Sequence, residues 1–399
     1  MTEILLPGHG RLRLRDPEPL HLPAHPPRSR TAFAAAHVVA DPLGDNAPGA
    51  PAAVDWDATL AFRRHLWSLG LGVADAMDTA QRGMGLDWAA TRELIVRSGA
   101  EARAFEGAAH RASGQAGGGR REGALLACGV GTDHLTAPAP TLADITAAYE
   151  QQLAVTEEAG ARPILMASRA LAAVATGPED YLTVYGGLIR QSARPVILHW
   201  LGEMFDPALA GYWGSHDLDR ATGTVLDLVH AHADRIDGIK VSLLDAAREV
   251  ALRRSLPAGV RLYTGDDFHY PELIKGDDLG HSHALLGVFD PIASRAAAAL
   301  HALDAGDPDR YDALLAPTVP LARHLFGAPT YHYKTGIVFL AWLAGHQPHF
   351  TMVAGAQSAR STRHLVELFR LADTAGVLPD PDLAAGRMRD LLKLAGVTA

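Results

Sequence analysis

From Thr31 onward, short apolar runs alternate with longer segments whose apolar residues recur at the spacing of an amphipathic helix. Apolar runs of this length, bounded by Gly, Pro or Asp, predict buried strands. The predicted strands are residues 33–39, 70–77, 124–129, 163–166, 195–199, 236–241, 260–264 and 283–288. The predicted helices between them are residues 55–69, 88–104, 141–159, 179–191, 218–230 and 245–254.

This alternation predicts an α/β fold in which a parallel sheet closes into a (β/α)8 TIM barrel. An open doubly wound sheet normally carries a Gly-rich phosphate loop after its first strand, and the sequence has none there. Gly129-Val130-Gly131 is too short for a dinucleotide fingerprint. Two smaller α/β domains would need a linker rich in Pro, Gly and Ser, and none divides the pattern.

The two ends of the chain have a different pattern. Residues 1–30 are rich in Pro, Arg and His and predict an N-terminal arm or short hairpin, so we assign residues 31–291 to the barrel. Residues 292–399 are almost wholly helical in pattern and predict a C-terminal helical extension packed on the barrel. Its predicted helices are residues 296–305, 307–326, 333–343, 362–375 and 380–394.

Composition narrows the classes of function. The chain has 399 residues, 48% of them hydrophobic, which is enough to bury a large core. Its net charge of -9 argues against nucleic acids and anionic membranes as partners. A single cysteine, Cys128, excludes an internal disulfide and a thiolate metal cluster. No signal peptide and no apolar run of membrane-spanning length are present, which predicts a soluble, cytoplasmic protein.

Lys240 is the most informative single residue, because it ends a short apolar run and is followed by small and acidic residues. On a buried strand its ammonium would enter an apolar pocket, where desolvation favours the neutral amine. A neutral amine can attack a ketone and form a Schiff base. The alternative is a lysine that extends from a strand end to water.

Further candidates follow the other predicted strands. In TIM barrels the reacting groups lie at the carboxyl ends of the strands, which converge on one mouth. His199 ends predicted strand five, and an imidazole there can accept and donate a proton near neutral pH, or can be a hydrogen-bonded core group. The predicted substrate-binding residues at the same mouth are Asp78, Thr79, Ala80, Ser242, Thr264 and Asp266.

From about Thr31 to Leu378 the chain resembles the dihydrodipicolinate synthase/N-acetylneuraminate lyase superfamily of class I aldolases. It looks like a divergent, synthase-like branch. Residues 77–82 stand where that family has a Gly-Thr-Thr-Gly-Glu loop. The other segments that carry the resemblance, in the family's order and spacing, are residues 54–57, 129–132, 195–199, 238–240, 264–267 and 311–326.

The resemblance implies that Lys240 condenses with the ketone of a 2-oxo acid, usually pyruvate, and that the reaction continues through an enamine. It implies that Thr79 helps to hold the substrate carboxylate. Ala80 replaces the second threonine of the loop, so only backbone amides would donate there, and His199 replaces the strand-five tyrosine that relays protons. Residues 201–204 offer no cation for a second carboxylate, which favours a polyhydroxylated substrate over a diacid.

The leading hypothesis is therefore a lyase or aldolase that forms a Schiff base through Lys240 with a 2-oxo acid or sugar-derived keto compound. It needs no organic cofactor, because the protonated imine is the electron sink. One alternative is a metal-dependent lyase, isomerase or hydrolase acting on a carbohydrate, with a divalent metal on His199, Asp267, His281 or His283. Another is a barrel that binds a ligand without catalysis. The resemblance also implies a homodimer or homotetramer.

Overall fold

The computed structural model describes residues 2–20, 22–23, 25–113 and 125–397. Eight parallel strands form a closed barrel in chain order, and the last strand pairs with the first. This confirms the predicted (β/α)8 fold. After a two-stranded hairpin, β1 (Glu3–Leu6) and β2 (Gly10–Arg13), the barrel strands are β3 (Ala32–Ala35), β4 (Gly72–Asp75), β5 (Leu126–Val130), β6 (Arg162–Leu165), β7 (Val196–Leu201), β8 (Ile236–Ser242), β9 (Arg261–Thr264) and β10 (His283–Leu286).

Helices cover the barrel and form the extension after it. Several begin at side chains that cap free backbone amides, such as Thr141, whose capping box with Asp144 starts α3. The helices around the barrel are α1 (Trp56–Ser68), α2 (Trp88–Ser113), α3 (Leu142–Glu158), α4 (Arg169–Val174), α5 (Pro178–Gln191), α6 (Leu218–Ala231), α7 (Ala246–Ser255) and α8 (Tyr270–Lys275). Those of the extension are α9 (Ala293–Asp304), α10 (Pro308–Leu315), α11 (Thr318–Leu325), α12 (Tyr333–Leu343), α13 (Thr362–Ala375) and α14 (Pro381–Leu394).

Alternate residues of each barrel strand point into the barrel, as the pleat requires. Phe33, Ile197, Tyr263 and Leu285 belong to the small apolar cluster that fills it. The intervening residues, such as Ile239 on β8, pack outward in a separate cluster with the surrounding helices. This alternation of inward-facing and outward-facing residues determines which side chains of β7, β8 and β9 can contact a substrate.

The helices differ from the sequence prediction at four places, one of which is α8, a six-residue helix that was not predicted. The predicted helix over 307–326 is two helices, α10 and α11, separated at Pro317, which has no amide hydrogen to donate. Helix α2 continues to Ser113, although residues 110–122 were predicted as a surface loop; residues 114–122 of that loop lie outside the described residues. Helix α4 was not predicted, because six residues are too few for a helical period to show.

The extension closes over the carboxyl ends of the barrel strands. Helix α12 is buried along nearly its whole length and contacts the short turn Asp78–Ala80 that follows β4. The N-terminal segment packs on the same extension, where Arg389 donates a hydrogen bond to the carbonyl oxygen of Glu3 at 2.7 Å. The division of the chain at residues 30 and 291 stays a prediction. Among the described residues no helix has both the length and the apolar character needed to span a bilayer.

Candidate active site at the barrel mouth

His199 and Lys240 lie side by side on neighbouring strands. They are register partners between β7 and β8, and Lys240 is in turn the partner of Tyr263 on β9. Because Ile197 and Tyr263 point into the barrel, His199 and Lys240 do so as well. A side chain at Gly265 would come within 2.8 Å of Lys240 Cε, so this glycine leaves room for the lysine.

Lys240 is a buried amine without a fixed partner. Only 8% of the residue is exposed, and within the described part of the chain no hydrogen bond or ion pair holds its Nζ. Burial lowers the pKa of the ammonium below its ordinary value, while the nearby carboxylates of Asp78 and Asp267 act in the opposite direction. The balance favours release of the proton that a nucleophilic amine must lose.

Asp267 is a second group whose proton is easily exchanged. Burial raises the pKa of its carboxyl to about 7, whereas a hydrogen bond from the Val288 amide at 2.9 Å and the charge of Lys240 lower it. Asp267 therefore lies near Lys240 with both its acid and its base form accessible near neutral pH.

His199 is held as a neutral imidazole. Burial, and then the positive charge of Lys240, lower the pKa of this ring well below its ordinary value. Its Nε2 lies 3.3 Å from Ser242 Oγ, and its Nδ1 has no hydrogen-bond partner among the described residues. Because it faces into the barrel and has no partner there, Nδ1 is a candidate contact for a ligand.

A hydroxyl pair joins the barrel to the extension. Thr79 Oγ1 lies 3.0 Å from the phenolic oxygen of Tyr333, the first residue of α12, whose ring stacks on Phe326 with a centroid distance of 4.5 Å. Sequence reasoning missed Tyr333. The only signal was a polar Tyr-Lys pair at the beginning of a helix that is otherwise strongly apolar.

A cavity of about 250 Å³ lies between the carboxyl ends of β4, β6 and β7 and the extension, and its wall includes Asp78 and Tyr333 but not Lys240, His199 or Asp267. It is lined by Asp78, Arg82, Met84, Arg169, Leu201, Phe205, Asp206, Pro207, Tyr331, Tyr333 and Lys334. A larger cavity of about 640 Å³ lies between the N-terminal segment and α9–α10, away from the strand ends. We place the site at the smaller cavity, because Asp78 in its wall acts on the pKa of Lys240 and Tyr333 in its wall is hydrogen-bonded to Thr79.

Three of the predicted substrate-binding residues have polar groups that are already paired within the protein. The hydroxyl of Thr264 donates to Glu249 on α7 at 3.0 Å, because Thr264 is the register partner of outward-facing Val241. The Asp266 carboxylate accepts hydrogen bonds from two backbone amides of its own loop and contacts the His269 ring, so it closes that loop. The amide of Ala80 already donates to the Met77 carbonyl oxygen at 3.0 Å.

The structure does not bring together the four residues of the alternative metal site. His281 and His283 lie before and at the first residue of β10, whereas His199 and Asp267 lie toward the carboxyl ends of the strands. The barrel therefore separates the two pairs. In the described ranges there is no group of three or more His, Cys, Asp or Glu side chains that could hold a metal ion.

Comparison with known families identifies the chain. Residues 8–397 match the family described as protein of unknown function (DUF993). The chain belongs to this family. No curated protein matches the sequence.

Solved structures of dihydrodipicolinate synthases have the same fold. The enzyme from Acinetobacter baumannii, solved in complex with pyruvate, is 15% identical with a TM-score of 0.60, covering 88% of this chain and all of that one (100%). The enzyme from Bacteroides thetaiotaomicron is 12% identical with a TM-score of 0.61, covering 86% and 97%. The enzyme from Aquifex aeolicus is 12% identical with a TM-score of 0.58, covering 92% and 98%. For the fold, this confirms the resemblance seen in the sequence.

Proposed function

We propose that this DUF993 protein is a class I aldolase or lyase that forms a Schiff base between Lys240 and the carbonyl group of a 2-oxo acid or sugar-derived keto compound. One observation carries the proposal. Lys240 is a buried amine with a lowered pKa and no fixed partner, and it lies in the strand position next to a neutral histidine. The barrel, shared with synthases of that chemistry, is consistent with this reading.

The first half of the reaction uses Lys240 and Asp267. The neutral amine attacks the carbonyl carbon and gives a carbinolamine. Asp267, whose pKa is raised to about 7, donates a proton to the carbinolamine hydroxyl, which leaves as water. The product is a protonated imine on Lys240, and its positive charge draws electrons from the adjacent carbon–carbon bonds. No organic cofactor is needed for this step.

The second half uses His199 and the hydroxyl pair. In the cleavage direction, neutral His199 accepts the proton of the substrate hydroxyl while the carbon–carbon bond breaks, and the imine takes the electron pair as an enamine. Thr79 and Tyr333 hydrogen-bond to substrate oxygen atoms at the mouth. Protonation of the enamine and hydrolysis of the imine then return free Lys240.

Reductive trapping tests the proposal. Borohydride is added to the protein with pyruvate and, separately, with a panel of keto acids and keto sugars. Hydride adds to the imine carbon and leaves a secondary amine, which peptide mass spectrometry should locate on Lys240. The matched control is Lys393→Arg, because Lys393 is exposed and lies in the last helix.

Two variants decide the outcome. Lys240→Arg keeps a positive charge but cannot form an imine, and Lys240→Met removes the amine, so both should lose the adduct and the activity while remaining folded. Turnover of Lys240→Arg at a tenth or more of wild type, a barrier change under about 1.4 kcal/mol, would contradict the mechanism. If calorimetry finds the same ligand affinity in wild type and Lys240→Ala, and borohydride gives no adduct, the result would favour a non-catalytic barrel.

The assembly is part of the same proposal. We expect a homodimer or homotetramer, as the family resemblance implies, with the outer faces of the helices after Ile292 as the source of an interface. Light scattering coupled to gel filtration checks this, and a monomer at micromolar concentration would contradict it. The other expected partner is the small oxo substrate itself.

A further inference from the structure

We propose that Lys334 binds an anionic group of the substrate, a carboxylate or a phosphate, at the end remote from the carbonyl carbon that Lys240 attacks. The inference deepens the proposed function. Binding of an anion by Lys334 does not depend on that function, whereas the statement that the anion is the remote end of the Lys240 substrate rests on it. Residues 201–204 supply no cation, so the sequence favours a polyhydroxylated substrate over a diacid. In the folded protein, α12 brings a cation to the mouth from the extension.

Lys334 is a buried ammonium with incomplete hydrogen bonding. Only 5% of the residue is exposed, and its Nζ contacts the Met84 sulfur at 3.1 Å and the Tyr331 carbonyl oxygen at 3.3 Å. An ammonium carries three donors, and a thioether is a weak acceptor. No carboxylate forms an ion pair with Lys334 in the part of the chain that the structure describes. A buried charge without a counterion is costly, so an incoming anion would complete the site.

The other cations of the cavity are already neutralised. Arg169 forms an ion pair with Asp206 at 2.5 Å, and Arg82 forms one with Asp133. With these two ion pairs set aside, the charged side chains that remain in the cavity lining are Lys334 and Asp78. Asp78 contributes an opposing charge to Lys334 across the cavity. Lys334 is therefore the cation that remains available for a ligand.

Lys334 lies on the side of the mouth toward which a substrate bound to Lys240 would extend. Leu201, in the cavity wall, is the register partner of Ser242, one inward-facing layer nearer the mouth than His199 and Lys240. A substrate bound to Lys240 would extend past Leu201 toward α12. Lys334 directly follows Tyr333, which is hydrogen-bonded to Thr79, and its Nζ lies 5.0 Å from the centre of the Tyr333 ring.

The placement of Lys334 works against the stability of its own helix. It is the second residue of α12, and a positive charge near a helix N-terminus is opposed by the helix dipole. Burial adds to this penalty and lowers the pKa of the ammonium. A cation kept in two unfavourable environments is better explained by ligand binding than by folding.

Calorimetric titration with two probes, inorganic phosphate and succinate, tests the inference and separates a phosphate site from a carboxylate site. We expect at least one probe to bind the wild-type protein. Lys334→Gln should weaken that binding by about tenfold or more, whereas Lys334→Arg, which keeps the charge, should stay within about threefold. Lys393→Gln is the matched control and should bind like wild type.

The titration is repeated on Lys240→Met, which cannot form an imine and should bind the anion as wild type does. Retained anion binding together with failed borohydride trapping would contradict only the Schiff-base function. Equal affinity in wild type and Lys334→Gln, or no binding of either probe at millimolar concentration, would overturn the anion site. Thermal melting of Lys334→Gln at or above the wild-type temperature excludes loss of fold as the cause of weaker binding.

Discussion

The hydroxyl groups of Thr79 and Tyr333 lie 3.0 Å apart, although 254 residues separate them in the chain. Thr79 belongs to the turn after β4, and Tyr333 begins the helix that crosses the mouth from the extension. Burial raises the pKa of Tyr333 well above its ordinary value, so its phenol keeps its proton and can donate it in a hydrogen bond. The extension therefore supplies part of the candidate site.

Replacing this pair should slow catalysis without unfolding the protein. Tyr333→Phe keeps the ring that stacks on Phe326 and removes only the hydroxyl. We expect a loss of about 100-fold in kcat, within the range of a lost acid–base or polar contact, measured with the substrate found by trapping. Thr79→Val should give a similar loss. The double variant should be little worse than either single one, and additive losses would show that the hydroxyls act independently.

Asp267→Asn should move the pH dependence of imine formation to lower pH. The negative charge of Asp267 raises the pKa of Lys240, so removing it lets the amine lose its proton at lower pH. The rate of adduct formation is measured with borohydride from pH 5 to pH 9, and Asp78→Asn should shift it in the same direction. Asp390→Asn, an exposed carboxylate, is the control. A midpoint that is unchanged or higher in Asp267→Asn would contradict the assignment.

The sequence predicts the barrel and the position of Lys240 on its strand better than it predicts the rest of the mouth. Strand order and alternation suffice to place His199 beside Lys240, and the bounds of the helix 333–343 agree with those of α12. Thr264 was predicted to face the substrate, but it is one residue away from an inward-facing position, so its side chain points out of the barrel. Its neighbour Tyr263 takes the inward position, and this alternation depends on a register that no local pattern specifies.

Lys334 and Tyr333 are missed for a different reason. Their helix is predicted, but its orientation over the barrel depends on tertiary packing between distant segments. The apolar character of α12 indicates burial and does not indicate which end of the helix meets the turn Asp78–Ala80. A candidate site at the junction between the barrel and its extension is therefore visible only in the folded chain.

Glu249→Gln should stabilise the protein at alkaline pH. Burial raises the pKa of Glu249 from 4.5 to about 8 in the folded state. Between these values the folded protein holds a proton that the unfolded chain has lost, so this residue makes stability fall as pH rises, by about 1 kcal/mol per pH unit. Glutamine does not titrate. In urea unfolding at pH 5, 7 and 9, the free energy of unfolding of the variant should increase relative to that of wild type as pH rises. The same difference in free energy at all three pH values would argue against the raised pKa.

The buried ion pair between Arg63 and Asp75 should be essential to the fold at this end of the barrel. Both side chains are 0% exposed, and Asp75 accepts from Arg63 Nη2 at 2.7 Å and from Ser98 Oγ at 2.5 Å. Asp75→Asn leaves the guanidinium charge buried without a counterion, which should lower the free energy of unfolding by about 3–5 kcal/mol. The control is Arg64→Met, which breaks a partly exposed ion pair with Glu101 and should change stability by less than about 1 kcal/mol.

Comparing the single variants Arg63→Met and Asp75→Leu with the double variant that combines them separates the ion pair from the packing around it. Each single variant leaves one buried charge uncompensated, whereas the double variant leaves none. Urea unfolding should therefore show that the double variant loses less free energy of unfolding than the two single variants lose together. Strict additivity would mean that the two charges do not stabilise each other. Asp75 ends β4 three residues before Asp78, so the single losses should also weaken borohydride trapping at Lys240.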